Sequence, residues 1–155
     1  MHFDRERFLD LVDAMPLVSI DLLLQDPEGR VLLGRRRNRP AAGFWFVPGG
    51  RVLKGECLVD ALVRIVRREL GPAVPLAGWV PAGTYEHFYD DNFAGAPGVG
   101  THYVVLPHAM QLAQDKPEIV ADDQHDDMAW MHVAEMLTRE DVHAYSKAYF
   151  LERGR

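Results

Sequence analysis

The stretch from residue 49 to residue 71, GGRVLKGECLVDALVRIVRRELG, constrains the fold of this chain more than any other feature. A strand-like segment, 44–50, ends in a proline and two glycines, and a helical pattern then runs over 57–70 until Gly71 and Pro72 stop it. Glycine lets backbone amides and carbonyls approach a metal ion or a phosphate closely. The stretch therefore predicts a strand, a binding loop and a helix, in that order.

One face of this helix carries a single acid. Positions 62, 65 and 69 lie on the same face because they are spaced by three and four residues. Only Glu69 is acidic there, whereas Ile65 extends the apolar set of an amphipathic helix. Two interpretations stay open from these residues: a site with one helix carboxylate, or a surface helix with an incidental glutamate.

The rest of the chain alternates between strand-like and helix-like segments. Residues 17–25 and 31–36 have strand patterns, and DPEG between them has the proline and glycine of a tight turn, so we expect a hairpin. Asp4 can cap a first helix that Pro16 ends. The remaining predicted elements are strands near 78–89, 101–110 and 127–132 and helices at HVAEML and DVHAYSKAYFLERG. This order implies an α/β (α+β) fold in which a mixed β-sheet is flanked by helices.

Composition and charge bound the class of protein. The 155 residues suit a single domain, 1–155, that buries about 68–70% of its unfolded surface. The one cysteine, Cys57, allows no internal disulfide, and the charged N-terminal segment lacks the apolar core of a signal peptide or membrane span. A net charge of −6 disfavours nucleic acid, with RRRNR at 35–39 as a local exception. We expect a cytoplasmic protein with a small anionic ligand and without nucleic-acid or membrane partners.

The spacing within residues 49–71 resembles the Nudix box of nucleoside diphosphate hydrolases. The matching residues are Gly50, Glu56, Arg64, Glu69 and Gly71. That box usually has glutamates where this chain has Ile65 and Arg68, and an aliphatic residue where it has Pro72. A shortened box of this kind resembles the GDP-mannose mannosyl hydrolase group, as do, in the same order, PLVSIDLLL, GRRRNRPAAGFWFVPGGRV, EHFYDDNF, THYVVL, DDQHDD and VHAYSKAYF. The resemblance implies the Nudix α/β/α sandwich and a homodimer that hydrolyses GDP-mannose.

The resemblance also implies one Mg²⁺ per subunit, for which Mn²⁺ can substitute. Its protein ligands would be the carbonyl of Gly49, the carboxylate of Glu69 and the amide of Gln124. Mg²⁺ prefers hard oxygen ligands and is usually held by few protein groups together with substrate phosphates. Without the resemblance, Gln124 is an ordinary loop amide.

His125 matches the residue that acts as the general base in that group. A neutral imidazole with a pKa near 6.5 accepts a proton at physiological pH. The acidic neighbours in DDQHDD would raise the pKa of His125 and favour activity above neutrality. Without the resemblance, this segment is a solvated acidic loop, and nothing else selects one of the seven histidines.

Five further residues match positions that hold the sugar and neutralise the leaving group: Asp21, Arg36, Arg51, His87 and Tyr103. Arginine suits this task because its planar fork donates two parallel bonds to phosphate oxygens. In a strand, Arg36 points to the opposite face from Arg35 and Arg37. Asp21 lies within the apolar run LVSIDLLL, where an unpaired acid is costly to bury, so it requires a partner.

Phe8 and Arg35 are the candidate contacts for the nucleotide. In the group that this chain resembles, the N-terminal segment helps to bind the nucleotide, and an aromatic ring such as that of Phe8 can stack on guanine. Most aromatic residues in a chain of this size nevertheless belong to the core.

The departures from the usual box suggest a reaction at carbon. Typical Nudix enzymes attack phosphorus, where a glutamate cluster can activate water, whereas a sugar hydrolase attacks the anomeric carbon and needs its base elsewhere, at His125. Two rivals remain: pyrophosphate cleavage of a nucleoside triphosphate or nucleotide sugar at phosphorus, and a nucleotide-sugar sensor without activity. The hexose and the guanine preference are not fixed by the residues themselves.

Overall fold

The computed structural model describes residues 3–120 and 125–151, and only the backbone at 125 and 126. The helices of this part are α1 Arg5–Ala14, α2 Leu58–Leu70, α3 Val133–Thr138 and α4 Ala144–Leu151. The strands are β1 Leu17–Gln25, β2 Val31–Arg36, β3 Trp45–Phe46, β4 Gly49–Arg51, β5 Val80–Pro81, β6 Tyr85–Tyr89, β7 Thr101–Val105, β8 His108–Gln111 and β9 His125–Met131.

Strand β1 is the centre of a curled mixed sheet. Its first half pairs in parallel with β7 and its second half in parallel with β8. On its other edge it pairs antiparallel with β4 and, at its end, with β2. β6 extends the sheet beyond β7, and β9 pairs with β2. A single strand thus joins the two halves of the sheet.

Alternate residues of β1 supply the two hydrophobic cores. Ile20, Leu22 and Leu24 are buried against α2, whereas Leu23 is buried in the cluster that includes Tyr149 of α4. Side chains in a strand alternate between its faces, so one strand can serve both helix layers. Each fully buried leucine or isoleucine stabilises the fold by about 1.5–3 kcal/mol. The predicted α/β/α sandwich with a mixed sheet is confirmed.

The predicted helix start and hairpin are found at the expected residues. The side chain of Asp4 accepts a hydrogen bond from the Arg7 backbone N–H at 2.8 Å, so it caps α1. Strands β1 and β2 form the antiparallel hairpin, and the side chain of Asp26 in its turn accepts hydrogen bonds from Arg30 N at 2.8 Å and Arg30 Nε at 2.8 Å. This turn is held together by its own residues.

The segment 44–50, predicted as one strand, is divided into β3 and β4. Pro48 lies between them and has no N–H to donate to a neighbouring strand. Its carbonyl still accepts a hydrogen bond from Leu22 N at 2.7 Å. The chain therefore stays beside β1 and delivers the two glycines of β4 to it. Within the described ranges, no helix is long and apolar enough to cross a membrane.

Candidate active site

A cavity of about 210 Å³ opens beside β1, β4 and α2. Seven of the residues selected from the sequence line it: Asp21, Arg36, Gly49, Arg51, Glu69, His87 and Tyr103. The structure also brings Ser19, Pro40, Arg64, Ile65, Arg68 and Tyr89 to the same wall. These residues come from helix α2, from strands β1, β2, β4, β6 and β7, and from the segment that follows β2.

Both glycines of β4 are closely packed, and the packing requires a glycine at position 49. Gly49 pairs with Asp21 of β1, and a side chain at position 49 would collide with the Asp21 carboxylate and the Ile20 carbonyl. At Gly50, an added Cβ would lie 3.2 Å from Cγ1 of Ile65. Ile65 is buried and packs against this backbone. The apolar residue in the box is therefore part of the core that supports the loop.

Glu69 is the acid of α2 that reaches the cavity. It lies in the last turn of the helix and is only 2% exposed. The other acid of this helix, Asp60, is exposed in the first turn. Glu69 shares the cavity wall with the backbone of Gly49, so both offer oxygen atoms.

This donor set fits Mg²⁺ better than a thiophilic or imidazole-binding metal. Across the part of the chain that is described, no group of three or more His, Cys, Asp or Glu could hold a metal ion. Mg²⁺ does not need such a cluster, because it retains waters and takes phosphate oxygens as ligands. Gln124, the third ligand expected from the sequence, lies outside the described residues.

Glu56 and Arg64, which also match the box, form an ion pair. The Arg64 guanidinium donates to Glu56 at 2.7 and 2.9 Å and to the carbonyl of Arg51 at 2.7 Å. Glu56 also accepts a hydrogen bond from Leu53 N at 3.0 Å. The hydrogen bond from Arg64 is the main reason that the pKa of Glu56 falls to about 2. The pair fixes the loop between β4 and α2.

Arginines give the cavity a positive wall. Arg36 donates from Nε to the carbonyl of Pro40 at 2.9 Å, which directs its guanidinium along the cavity. Burial is the main cause of a lowered pKa at Arg51, with Arg64 and Arg68 adding repulsion. An arginine stays protonated in any case, so the wall attracts anions such as phosphates.

Asp21 is a buried acid at the inner end of the cavity. Burial raises its pKa to about 7, although a hydrogen bond from Tyr149 and the charge of Arg36 oppose this rise. The Tyr149 hydroxyl donates to Asp21 Oδ2 at 2.5 Å. The partner that the sequence required for Asp21 is therefore a tyrosine of α4, helped by an arginine.

His87 is buried beside Asp21. Its ring stacks on that of Tyr145 with the centroids 4.1 Å apart and the planes 3° apart. Its Nε2 lies 3.3 Å from the Tyr149 hydroxyl oxygen. Burial, with the nearby His143, lowers the pKa of His87 to about 4, so this imidazole is neutral at physiological pH. It can donate or accept hydrogen bonds but does not carry charge.

Tyr103 lies opposite His87 in the pairing of β6 with β7. Burial is the main cause of a raised pKa at this tyrosine, while Arg36 and Arg51 lower it. Its hydroxyl therefore keeps its proton and can donate it in a hydrogen bond.

Phe8, Arg35 and His125 are the remaining predicted residues with a described backbone. Phe8 lies outside the cavity lining, with its ring under the Arg51 guanidinium at 4.2 Å and beside the Phe93 ring at 4.8 Å. Arg35 is exposed and is not in the lining, as the strand alternation predicted. The backbone of His125 pairs with Arg36 at the start of β9, while its side chain is outside the described atoms. Phe8 is thus placed to support Arg51.

Sequence reasoning did not select Tyr149, Arg64 or Arg68 as parts of the site. Tyr149 is separated from Asp21 by 128 residues, so no local pattern connects them. Two signals were present: the acid in the apolar run of β1, which required a partner, and tyrosines 145 and 149, which lie at helical spacing. Neither signal identifies the contact without the fold.

The cavity of this α/β/α sandwich combines an oxygen-donor pair with a wall of arginines, a combination that suits a phosphorylated ligand. The model of the NUDIX domain matches residues 15–153. The chain is also 45% identical over 116 residues to the low-salt glycan biosynthesis protein Agl8 of Haloferax volcanii, a match that covers 74% of this chain and 70% of that protein. The chain belongs to the Nudix hydrolase family.

Solved structures share the same fold. The MutT protein of Methanosarcina mazei superposes with a TM-score of 0.69 at 23% identity, over 90% of this chain and 97% of that one. The Nudix domain of Shewanella oneidensis NrtR, solved with ADP ribose, has a TM-score of 0.66 at 20% identity, over 97% and 99% of the two chains. Family members typically use divalent metal ions, in keeping with the oxygen donors of this cavity.

Proposed function

We propose that this protein hydrolyses GDP-mannose, and also GDP-glucose, to GDP and free hexose through attack of water at the anomeric carbon. One observation carries the proposal: the buried pair Asp21 and His87 shares a cavity with Glu69 and four arginines. The arginines suit a diphosphate, whereas a buried acid and a neutral imidazole suit the hydroxyls of a sugar. The relative Agl8, named for glycan biosynthesis, is consistent with a nucleotide-sugar substrate.

The size of the cavity limits how much of such a substrate it can enclose. Sites that enclose most of a drug-sized ligand occupy about 300–1,000 Å³. The cavity measures about 210 Å³, which is below that range, so it would enclose only part of the nucleotide sugar and leave the rest outside. Arg36 and Arg51 would donate to the diphosphate oxygens in bidentate fashion.

The carbonyl of Gly49, the carboxylate of Glu69 and the amide of Gln124 would hold one Mg²⁺. When bound, the ion would supply positive charge to the diphosphate as it departs. Ile65 is committed to packing on Gly50, and Arg68 brings a cation to the wall where the usual box has an acid. These residues favour a site with one metal ion, in which the general base does not come from α2.

The chain's own residues would carry the proton and orient the sugar. His125 takes a proton from water as the water oxygen bonds to the anomeric carbon, and the bond from that carbon to the phosphate oxygen breaks. GDP leaves with the electron pair, so no acid is needed to protonate it, and attack from the opposite side inverts the configuration. Asp21 and His87 hold the sugar hydroxyls.

Cleavage at phosphorus is the alternative function. The ADP-ribose pyrophosphatase of Methanocaldococcus jannaschii is 36% identical to this chain, but only over 56 residues, 36% of this chain and 32% of that protein. A diphosphate would be bound by the arginines and the metal ion alone. Asp21 and His87 also line the cavity, and these additional polar groups favour hydrolysis at the sugar.

Proton NMR of the reaction with GDP-mannose and Mg²⁺ tests the proposal. We expect free β-mannose to form first from the α-linked substrate, and ¹⁸O from labelled water to enter the sugar. Mannose 1-phosphate and GMP, or label in a phosphate, would establish attack at phosphorus instead. Tight binding without any product would identify a sensor.

Two substitutions test the assigned roles. His125→Gln is expected to lower kcat by about 10²–10⁴-fold, the usual contribution of a positioned base. The control is His132→Gln, which changes an exposed histidine at the start of α3 and is expected to keep full activity. Glu69→Gln is expected to weaken the Mg²⁺ titration, whereas Asp60→Asn on the same helix leaves it unchanged. If the kcat of His125→Gln stays within a few-fold of that of the unmodified protein, His125 is not the general base.

A further inference from the structure

Helix α4 places one tyrosine hydroxyl between the two buried polar residues of the cavity. Tyr149 is 1% exposed, and its oxygen lies 2.5 Å from Asp21 Oδ2 and 3.3 Å from His87 Nε2. Asp21 and His87 line the cavity, whereas Tyr149 lies behind them. A ligand that contacts both residues would therefore depend on a hydroxyl that it does not touch.

The position of this hydroxyl is fixed by the packing of α4. The Ser146 hydroxyl accepts a hydrogen bond from the backbone N–H of Val47 at 3.0 Å, which attaches the helix to the β3–β4 segment. The ring of Tyr85 meets that of Tyr149 edge to face at 4.7 Å. A phenol held this way has little freedom to turn, so its oxygen imposes an arrangement on its two neighbours.

Proton counting determines that arrangement. A tyrosine hydroxyl has one proton to donate, and an ionised carboxylate can only accept. When Asp21 is ionised, the short contact therefore places the Tyr149 proton toward Asp21, and the tyrosine oxygen is left to accept from His87. His87 must then carry its own proton on Nε2, and its Nδ1 becomes the acceptor.

We propose that Tyr149 is a positioning residue that orients the Asp21 carboxylate and holds His87 as the Nε2–H tautomer, with Nδ1 ready to accept from a substrate hydroxyl. The tautomer is a property of the protein alone, whereas its effect on turnover rests on the proposed function. A tyrosine outside the cavity lining thereby decides which hydrogen bonds the cavity offers.

Nitrogen-15 NMR of the imidazoles in the substrate-free protein tests the tautomer directly. At alkaline pH, with Asp21 ionised, the His87 signal is expected to show a protonated Nε2 and an unprotonated Nδ1, and its loss in His87→Gln assigns it. In Tyr149→Phe we expect the Nδ1–H form to appear. Tyr145→Phe removes one hydroxyl from the same helix, and that hydroxyl bonds only to the Phe88 backbone in the described part of the chain, so this control keeps the tautomer.

The unmodified protein already decides the outcome if the variant does not fold. A His87 signal with its proton on Nδ1 in the unmodified protein would overturn the proposal. So would an unchanged Nε2–H signal in a folded Tyr149→Phe protein. None of these spectra requires a substrate, so they remain informative whatever reaction the enzyme runs.

Kinetics then measure the consequence. Tyr149→Phe is expected to lower kcat by about 10–100-fold with a smaller change in KM, because a hydrogen bond to a charged group is lost while the phosphate contacts remain. Combined with Asp21→Asn, its effect is expected to be much less than additive, since both changes remove one interaction. Fully additive losses, or a loss confined to KM, would contradict a positioning role.

Discussion

Glu56 and Asp21 are two carboxylates near one cavity, and their surroundings treat them in opposite ways. Glu56 lies in the loop before α2, where hydrogen bonds from Arg64 are the main cause of a pKa near 2. Asp21 lies in the apolar strand β1, where burial raises the pKa to about 7. The acid with arginine and backbone partners is held as a carboxylate, whereas the acid with a tyrosine partner has a pKa near neutral pH.

This difference is the basis for describing Glu56 as a structural acid and for proposing Asp21 as a functional one. The oxygens of Glu56 are used by Arg64 and Leu53 within its own loop, so the loop gains rigidity. Asp21 faces the cavity with its charge only partly balanced, and perturbed groups of this kind cluster at functional sites. A motif position alone therefore does not identify the acid that meets a ligand.

Of the changes that compare these two acids, Asp21→Asn is expected to have the largest effect. We expect kcat/KM for the nucleotide sugar to fall by about 10–100-fold, because a charge-assisted hydrogen bond to the substrate is lost. Thermal unfolding above pH 7 should show equal or greater stability, since the amide removes a buried charge. Loss of both activity and stability would make Asp21 a structural residue like Glu56.

Glu56→Gln should do the reverse. It removes the charge that Arg64 neutralises, and we expect the free energy of unfolding to fall by about 1–2 kcal/mol. Denaturant unfolding measures this loss, with the exposed Asp60→Asn as the control. The effect on kcat should be smaller than that of Asp21→Asn, and a larger one would place Glu56 in the reaction.

The pH dependence of stability should also separate the two acids. Because the folded-state pKa of Glu56 is depressed, its contribution to stability is present above pH 4.5 and is lost as the pH falls toward 2. The folded-state pKa of Asp21 is raised, so its contribution is present below pH 3.8 and is lost as the pH rises through 7. Unfolding curves at several pH values, compared with those of Asp21→Asn and Glu56→Gln, should show opposite slopes for the two residues.

The smallest expected effect concerns the contact between Arg51 and the ring of Phe8. Phe8→Leu removes the ring under the Arg51 guanidinium, a contact that is worth about 0.5–1 kcal/mol, and should raise KM by roughly 2–5-fold with kcat unchanged. Phe8→Tyr keeps a ring and should keep KM. If Phe8→Tyr impairs binding as much as Phe8→Leu, the ring contacts the nucleotide directly.

Much of the fold was predictable because its signals are local. The end of α2 follows from Gly71 and Pro72, and the hairpin follows from DPEG. The division of 44–50 was missed because Pro48 and the two glycines were interpreted as the end of one strand, whereas Gly49–Arg51 form a second strand that pairs with β1. Local patterns therefore identified the elements better than their interruptions.

The candidate site depended on contacts that local patterns do not contain. The cost of burying Asp21 predicted a partner without naming it, and Tyr149 lies in a helix that looks ordinary in sequence. The resemblance selected seven residues that do share one cavity, and it also selected Phe8, which lies beneath Arg51. The other contacts of the site were not predicted because their residues are far apart in the sequence, and not because the interactions are weak.

The hydrogen bond from Tyr149 to Asp21 joins residues 128 positions apart, and this separation has a dynamic consequence. Any opening of the eight-residue helix α4 breaks the bond, so the state that binds a ligand through Asp21 and His87 is a state with α4 closed. By linkage, such a ligand must slow amide hydrogen exchange in α4, although the helix lies behind the cavity. The last helix of the described chain would then report occupancy of the site.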